Sequence, residues 1–284
     1  MRLGTTACAM ALVAAVALGL SSAQAAPQTA TINGASISYE TCSDEKPQAV
    51  VLLHDGLANS ALWDEVWPGL CERYRVVRYD RRGYGKSPPT KDWHSPVEDL
   101  AALMKHVGVA HAHMIGAFTG AAIVIDFLLE YPEAIDKLVL AAPNMAGFPP
   151  PDAILLRLQE LEDYIRAGDT DATMAAITAD PHFLAPENKA ARAKLEKILR
   201  ASPGDLGEHP KQRRSNETRN RLKEVYAPTL ILIGGADDPY NQAVAVAVQK
   251  EMRAARMSAL LSAGQLLYLE QPEAFIAAVT EFLK

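Results

Sequence analysis

Cysteine is scarce, with three in 284 residues, which excludes a small scaffold held by disulfides in place of a core. Aromatic residues reach only 6%, and basic residues have no excess: 28 Lys and Arg stand against 34 Asp and Glu, a formal net charge of −6. The field of such a chain repels phosphates, so no nucleic-acid partner is expected. Internal repeats and low-complexity tracts are missing after the N-terminal segment. So is any later run approaching the ~20 apolar residues of a membrane-spanning helix. What is present is ordinary globular usage, 49% hydrophobic and 22% charged. That length and composition suit one large domain, or a domain carrying an insertion.

The first 25 residues differ from the rest. Met1-Arg2 supplies a positive start, residues 9–20 are an uninterrupted apolar run, and Ala23-Gln24-Ala25 is a small-x-small cleavage pattern. This is the form of a secretory signal peptide. The expected mature chain begins near Ala26, is periplasmic or secreted, and keeps no stable membrane anchor. Cys8 leaves with the signal. Cys42 and Cys71 remain, either as a disulfide favoured by an oxidising compartment or as two unrelated, partly buried thiols.

From residue 26 the pattern alternates strand and helix. Residues 29–33 and 35–40 flank Asn33-Gly34, a dipeptide suited to the positive φ angles of a tight hairpin. Residues 49–53, 75–79, 113–117, 138–142 and 230–233 are short strands. The first, Ala-Val-Val-Leu-Leu, is apolar enough to be buried on both faces of a mostly parallel sheet. Residues 61–72 suit a helix. Ser95-Pro96-Val97-Glu98 forms a capping box that opens another, in which Leu100, Leu103 and Met104 share a face. Between about 145 and 222 the alternation lapses into helical periodicity over 154–165, 188–199 and 219–226. The expected fold class is therefore α/β, with residues 26–144 and 223–284 as a mostly parallel core and 145–222 as an inserted helical cap.

Five blocks carry a resemblance. Leu52-Leu53-His54-Asp55-Gly56 with Trp63 downstream, Asp80-Arg81-Arg82-Gly83-Tyr84-Gly85-Lys86-Ser87, Gly116-Ala117-Phe118-Thr119-Gly120, Gly235-Ala236-Asp237-Asp238-Pro239, and Ala263-Gly264-Gln265-Leu266 through Glu270-Gln271-Pro272-Glu273 follow the order and spacing of the α/β-hydrolase superfamily. They are most similar to its cap-bearing branch of esterases, lactonases and epoxide hydrolases. A Gly-x-nucleophile-x-Gly turn between strand and helix lifts its central side chain above the sheet. The resemblance places Phe118 in that seat, where the family has Ser, Cys or Asp. A benzyl group has no lone pair to attack a carbonyl. The family's His position is Gln265, whose amide neither gains nor loses a proton near neutrality. The acid of the triad falls on Asp238, ahead of Asp237. The oxyanion donors fall on the backbone N–H groups of Gly56 and Thr119. Asp55 stands beside that pocket, where an ionised carboxylate opposes a developing oxyanion unless it is paired or turned away.

Several residues have plainer readings. His54 ends a buried strand and is expected to be a hydrogen-bonded structural His. The Asp80–Ser87 block is a Gly-rich turn. His111 and His113 lie two apart but lack a third ligand, so no metal is expected. Thr119 is one residue into its helix, with its side chain expected to point away from the seat and no base beside it. The basic cluster Lys211, Arg213, Arg214, Arg219, Arg221 and Lys223 is interleaved with Glu217 and Glu224, as on a solvated helix face. Two function classes stand. The favoured one is an exported, non-catalytic pseudoenzyme that binds a small apolar molecule or a partner without a cofactor. The other is a hydrolase acting on a small ester or lactone through a non-standard arrangement.

Overall fold

The computed structural model describes residues 26–145, 147–180, 188–207, 211–215 and 217–284. The expected signal, residues 1–25, lies outside them. Eight strands form one sheet: β1 (Gln28–Ile32), β2 (Ala35–Cys42), β3 (Ala49–Leu53), β4 (Arg75–Tyr79), β5 (Ala112–Ala117), β6 (Ile135–Ala141), β7 (Thr229–Gly234) and β8 (Ala255–Leu260). Their spatial order is β1-β2-β4-β3-β5-β6-β7-β8. The first two pairings are antiparallel and the rest are parallel. Asn33 and Gly34 make the hairpin turn with φ of 46° and 78°.

All five residues of β3 are buried, because both faces of the sheet are covered. Val51 and Leu53 face a core built with α2 (Pro96–His106), α3 (Thr119–Glu130) and α8 (Pro239–Glu251). Val50 and Leu52 face the opposite core with α1 (Trp67–Cys71), α9 (Leu267–Glu270) and α10 (Pro272–Leu283). This two-on-each-side alternation is what a strand buried on both faces requires. The fold is thus α/β, with a mostly parallel sheet flanked by helices.

Between β6 and β7 run α4 (Asp152–Ala167), α5 (Thr170–Ala179), α6 (Lys189–Ala201) and the short α7 (Thr218–Arg221). Met174, Ile177, Leu195 and Leu199 tie α5 and α6 to the second core. Among the described residues, no helix is long and apolar enough to cross a membrane.

Two sequence readings are corrected. Residues 61–72 do not form one helix: a 3-10 turn over Ser60–Trp63, capped by Asn59, precedes a separate α1. Pro68 has no N–H and its ring obstructs the preceding turn, so the helix must restart there. The basic cluster is not simply a solvated face. Arg214 reaches inward to the buried Asp126 at 3.1 Å, and Arg219 bonds the Gly147 carbonyl while lying over Phe148.

Candidate active site

The turn from β5 into α3 is set by its backbone. Phe118 has φ 45° and ψ −107°, a conformation that strains a bulky residue. Gly116 and Gly120 make it possible: a Cβ on Gly116 would stand 2.6 Å from Ala121 Cα, and one on Gly120 would stand 2.4 Å from Leu53 O. The Phe118 N–H donates to Ala141 O at 2.9 Å, which ties the turn to β6. Phe118 lies on the walls of two cavities. One, of about 630 Å³, is also lined by Asp55, Gly56, Arg81, Thr119 and the α4 residues Leu158 and Leu161. The other, of about 420 Å³, is lined by Met145, Phe148, Ile154 and Tyr240.

Gly56 and Thr119 meet at this cavity. A Cβ on Gly56 would stand 2.8 Å from Thr119 Oγ1. The Thr119 hydroxyl therefore lies on the Gly56 and Arg81 side of the cavity. Helical side chains tilt toward the helix N-terminus, and for the first residue of α3 that end is the cavity wall.

His54 lies at 0% exposure beneath this wall. Its Nε2 accepts from the Arg81 backbone N–H at 3.0 Å, so its Nδ1 carries the proton and donates to Asp55 O at 2.6 Å. Both ring nitrogens are occupied in a neutral imidazole, and neither is placed to serve as a base.

Asp55 is 2% exposed. Its Oδ1 accepts from Leu57 N at 2.9 Å and its Oδ2 from Gln265 Nε2 at 2.5 Å. Burial pushes its carboxyl up to about 6, partly offset by the Leu57 N–H and the nearby Arg81 charge. Gln265 is 1% exposed and meets the cavity through Asp55. Asp238 turns elsewhere: it caps α8 through Tyr240 N and pairs with Arg157 of α4 at 3.1 Å. No hydrogen bond joins Asp238 to Gln265. The turns that carry them abut, however, since Ala236 N donates to Ala263 O and a Cβ on Gly234 would meet the Ala263 and Gly264 carbonyls at 2.2 Å.

Asp237 is the more deeply buried of the acid pair. Its Oδ1 accepts from Asp238 N and Asn241 Nδ2, and its Oδ2 is buried without a partner. Burial raises its carboxyl to about 7, with the Asp238 and Glu270 charges adding to the rise. Elsewhere, Asp80 holds the Gly-rich turn by accepting from Ser60 N, Ser60 Oγ and Lys86 N. Arg82 of the same turn grips Asp99 with two hydrogen bonds. His111 pairs with Asp136. Among the described residues, no group of three or more metal-ligating side chains gathers. Cys42 and Cys71 form a disulfide with Cα atoms 5.8 Å apart.

Arg81, Tyr84 and Asp205 also face the larger cavity, and the sequence reading assigned none of them to the site. Arg81 and Tyr84 sat in view within the turn block. The available signal was a pair of adjacent arginines in the turn block.

Residues 50–278 match the model of the Alpha/beta hydrolase family. A putative carbamate hydrolase RutD of Caulobacter vibrioides is 32% identical over 148 residues, covering 50% of this chain and 53% of that protein. The chain thus spans about half the length of that relative. Over a longer stretch it is 26% identical to the RutD of Caulobacter sp. strain K31, covering 82% of this chain and 90% of that protein. Among solved structures, a hydrolase from Pseudomonas aeruginosa PA01 superposes with a TM-score of 0.75 at 25% identity, over 90% of this chain and 98% of its own. The enol-lactonase of Burkholderia xenovorans LB400 superposes at 0.73 and 19% identity, over 90% of this chain and 99% of its own. With a family match over most of its length and the same sheet beneath it, the chain belongs to the alpha/beta hydrolase family.

Proposed function

We propose that this chain is an exported, non-catalytic member of its family that binds a small, largely apolar molecule in the cavity beneath α4. The observation that carries this reading is Phe118. It occupies the strained strand-to-helix turn with φ 45° and borders the cavity, at the position where the family carries its attacking atom. Gln265 supports the reading, because a primary amide bonded to Asp55 moves no proton. His54 supports it as well, with both nitrogens already engaged. In this reading residues 145–222 are a cap that roofs the cavity with Leu158 and Leu161, and residues 1–25 are removed on export.

The test treats purified protein with a fluorophosphonate probe and a panel of p-nitrophenyl esters, alongside a titration with 4-phenylbutan-1-ol followed by thermal shift. Saturable binding without labelling or turnover is expected. Strong labelling or ester turnover would discard the reading. Intact mass of exported material should begin near Ala26.

A second reading has one observation in its favour, the Thr119 hydroxyl lying beside Gly56 at the cavity. If the chain is instead a hydrolase of a small ester or lactone, turnover should depend on that hydroxyl and vanish in Thr119→Val.

A further inference from the structure

Three arginines of the β4 strand and its following turn are buried: Arg78 at 3% exposure, Arg81 at 5% and Arg82 at 7%. Two of them have acids. Arg78 pairs with Glu40 and Asp64, and Arg82 takes Asp99 with Nε and Nη2. Arg81 has no carboxylate within ion-pair distance among the described residues, and its Nε is buried without a hydrogen-bond partner. Its Nη2 lies 3.4 Å from Thr119 Oγ1, and its guanidinium rests 4.7 Å from the centre of the Tyr84 ring. A guanidinium carries five donors and remains charged at any working pH. Burying one without an anion is costly, and this one borders the larger cavity.

The other charged groups at that cavity are already engaged. Asp55 gives its oxygens to Leu57 N and Gln265 Nε2. Asp205 gives its own to Gly85 N and Asn59 Nδ2. Arg214 is held by Asp126, and Glu162 is exposed near Arg166. Among the described residues, Arg81 is the cavity cation that makes no ion pair of its own, the Asp55 charge reaching it without direct contact.

We propose that Arg81, with the Thr119 hydroxyl beside it, is the recognition site for a carboxylate. The cavity's ligand is then a small amphipathic carboxylic acid, its apolar body lying against Phe118, Leu158 and Leu161. This rests on the ligand-binding reading above and adds the class of ligand. A planar carboxylate matches the guanidinium fork, and the burial of Arg81 strengthens the pairing by lowering the local dielectric.

The experiment compares 4-phenylbutanoate with its isosteric primary amide, by calorimetry and thermal shift, on the wild type and on Arg81→Gln, Arg81→Lys and Arg214→Gln. The wild type is expected to bind the carboxylate at least about tenfold more tightly than the amide, the scale of a charge-assisted hydrogen bond. Arg81→Gln should lose that preference, Arg81→Lys should keep part of it, and Arg214→Gln should not abolish it. Equal binding of carboxylate and amide by the wild type overturns the role of Arg81 while leaving the apolar-ligand reading intact. A preference that survives Arg81→Gln and disappears in Arg214→Gln assigns it to the rim cation and overturns this proposal. Binding of neither probe overturns both readings together. The wild-type comparison needs no variant to fold.

Discussion

Asp237 offers a direct measurement of what a buried carboxylate costs this fold. Burial holds its carboxyl at about 7 against 3.8 in the unfolded chain, which corresponds to a handicap of about 4 kcal/mol on the ionised form. The sign follows from proton binding. The native state takes the proton more readily than the unfolded state, so stability falls as pH rises. The handicap is fully present above about pH 7, shrinks as the pH drops, and is nearly gone at 3.8. Asp237→Asn removes the charge and keeps the shape, including the oxygen that accepts from Asp238 N and Asn241 Nδ2. Even half of the 4 kcal/mol would raise the Tm at pH 8 by about 4–8 °C, at 2–4 °C per kcal/mol for a chain near this size. At pH 4 the two proteins should melt within about 2 °C of each other on the same scale. Asp55, raised to about 6 by burial, tilts the wild-type profile the same way but is common to both proteins, so their difference isolates Asp237. Urea melts at pH 4, 6 and 8 follow the effect. A variant with wild-type stability at pH 8, or a gain that does not close on acidification, refutes the reasoning.

Replacing both Cys42 and Cys71 by Ser opens a loop with a sequence separation of 29, and the chain-entropy model sets the loss at about 3–4 kcal/mol; urea unfolding with and without reductant measures it. Phe118→Ser combined with Gln265→His is expected to create weak hydrolysis of p-nitrophenyl acetate that neither single change provides. Its rate should be low because Asp238 is held by Arg157, so adding Arg157→Ala should raise it, and a double variant as inert as both singles would refute the assignment of the lost side chains.

Much of the sheet was legible because its signals are local. Asn33-Gly34 specifies a turn by its own backbone preference, and Ala49–Leu53 declares burial on two faces by carrying no polar residue. Strand β8 was not legible. Ala255–Leu260 is an edge strand with Arg256, Ser258 and Ala259 exposed, and its assignment depends on the pairing with β7 rather than on an apolar run. The same division holds at the site. The glycines around Phe118 mark the turn within five residues, whereas the bond from Gln265 to Asp55 spans 210 positions. The contrast between Arg81 and Arg82 is harder still to read. The two are adjacent, identical in chemistry and similarly buried, and they differ only in whether α2 brings an acid within reach.

The strained turn at Phe118 is held by the contacts around it rather than by its own side chain. Such a conformation costs about 1–3 kcal/mol for a bulky residue, so something other than Phe118 must hold it. The constraint lies in the backbone, where Gly120 passes so close to Leu53 and His54 that a Cβ would stand 2.4 and 2.6 Å from their carbonyl oxygens. Relaxing the turn would part α3 from β3 at the centre of the sheet, where Leu53, Ile123 and Val124 are fully packed. The cavity is shaped by that backbone arrangement and by α4 above it, neither of which depends on the identity of residue 118. The residue at 118 therefore sets one wall of the cavity, while the Gly56 approach and the buried Arg81 do not depend on it. Under the proposed reading, those inherited features are sufficient for binding, because recognition of a carboxylate needs the guanidinium and an apolar enclosure but no attacking atom.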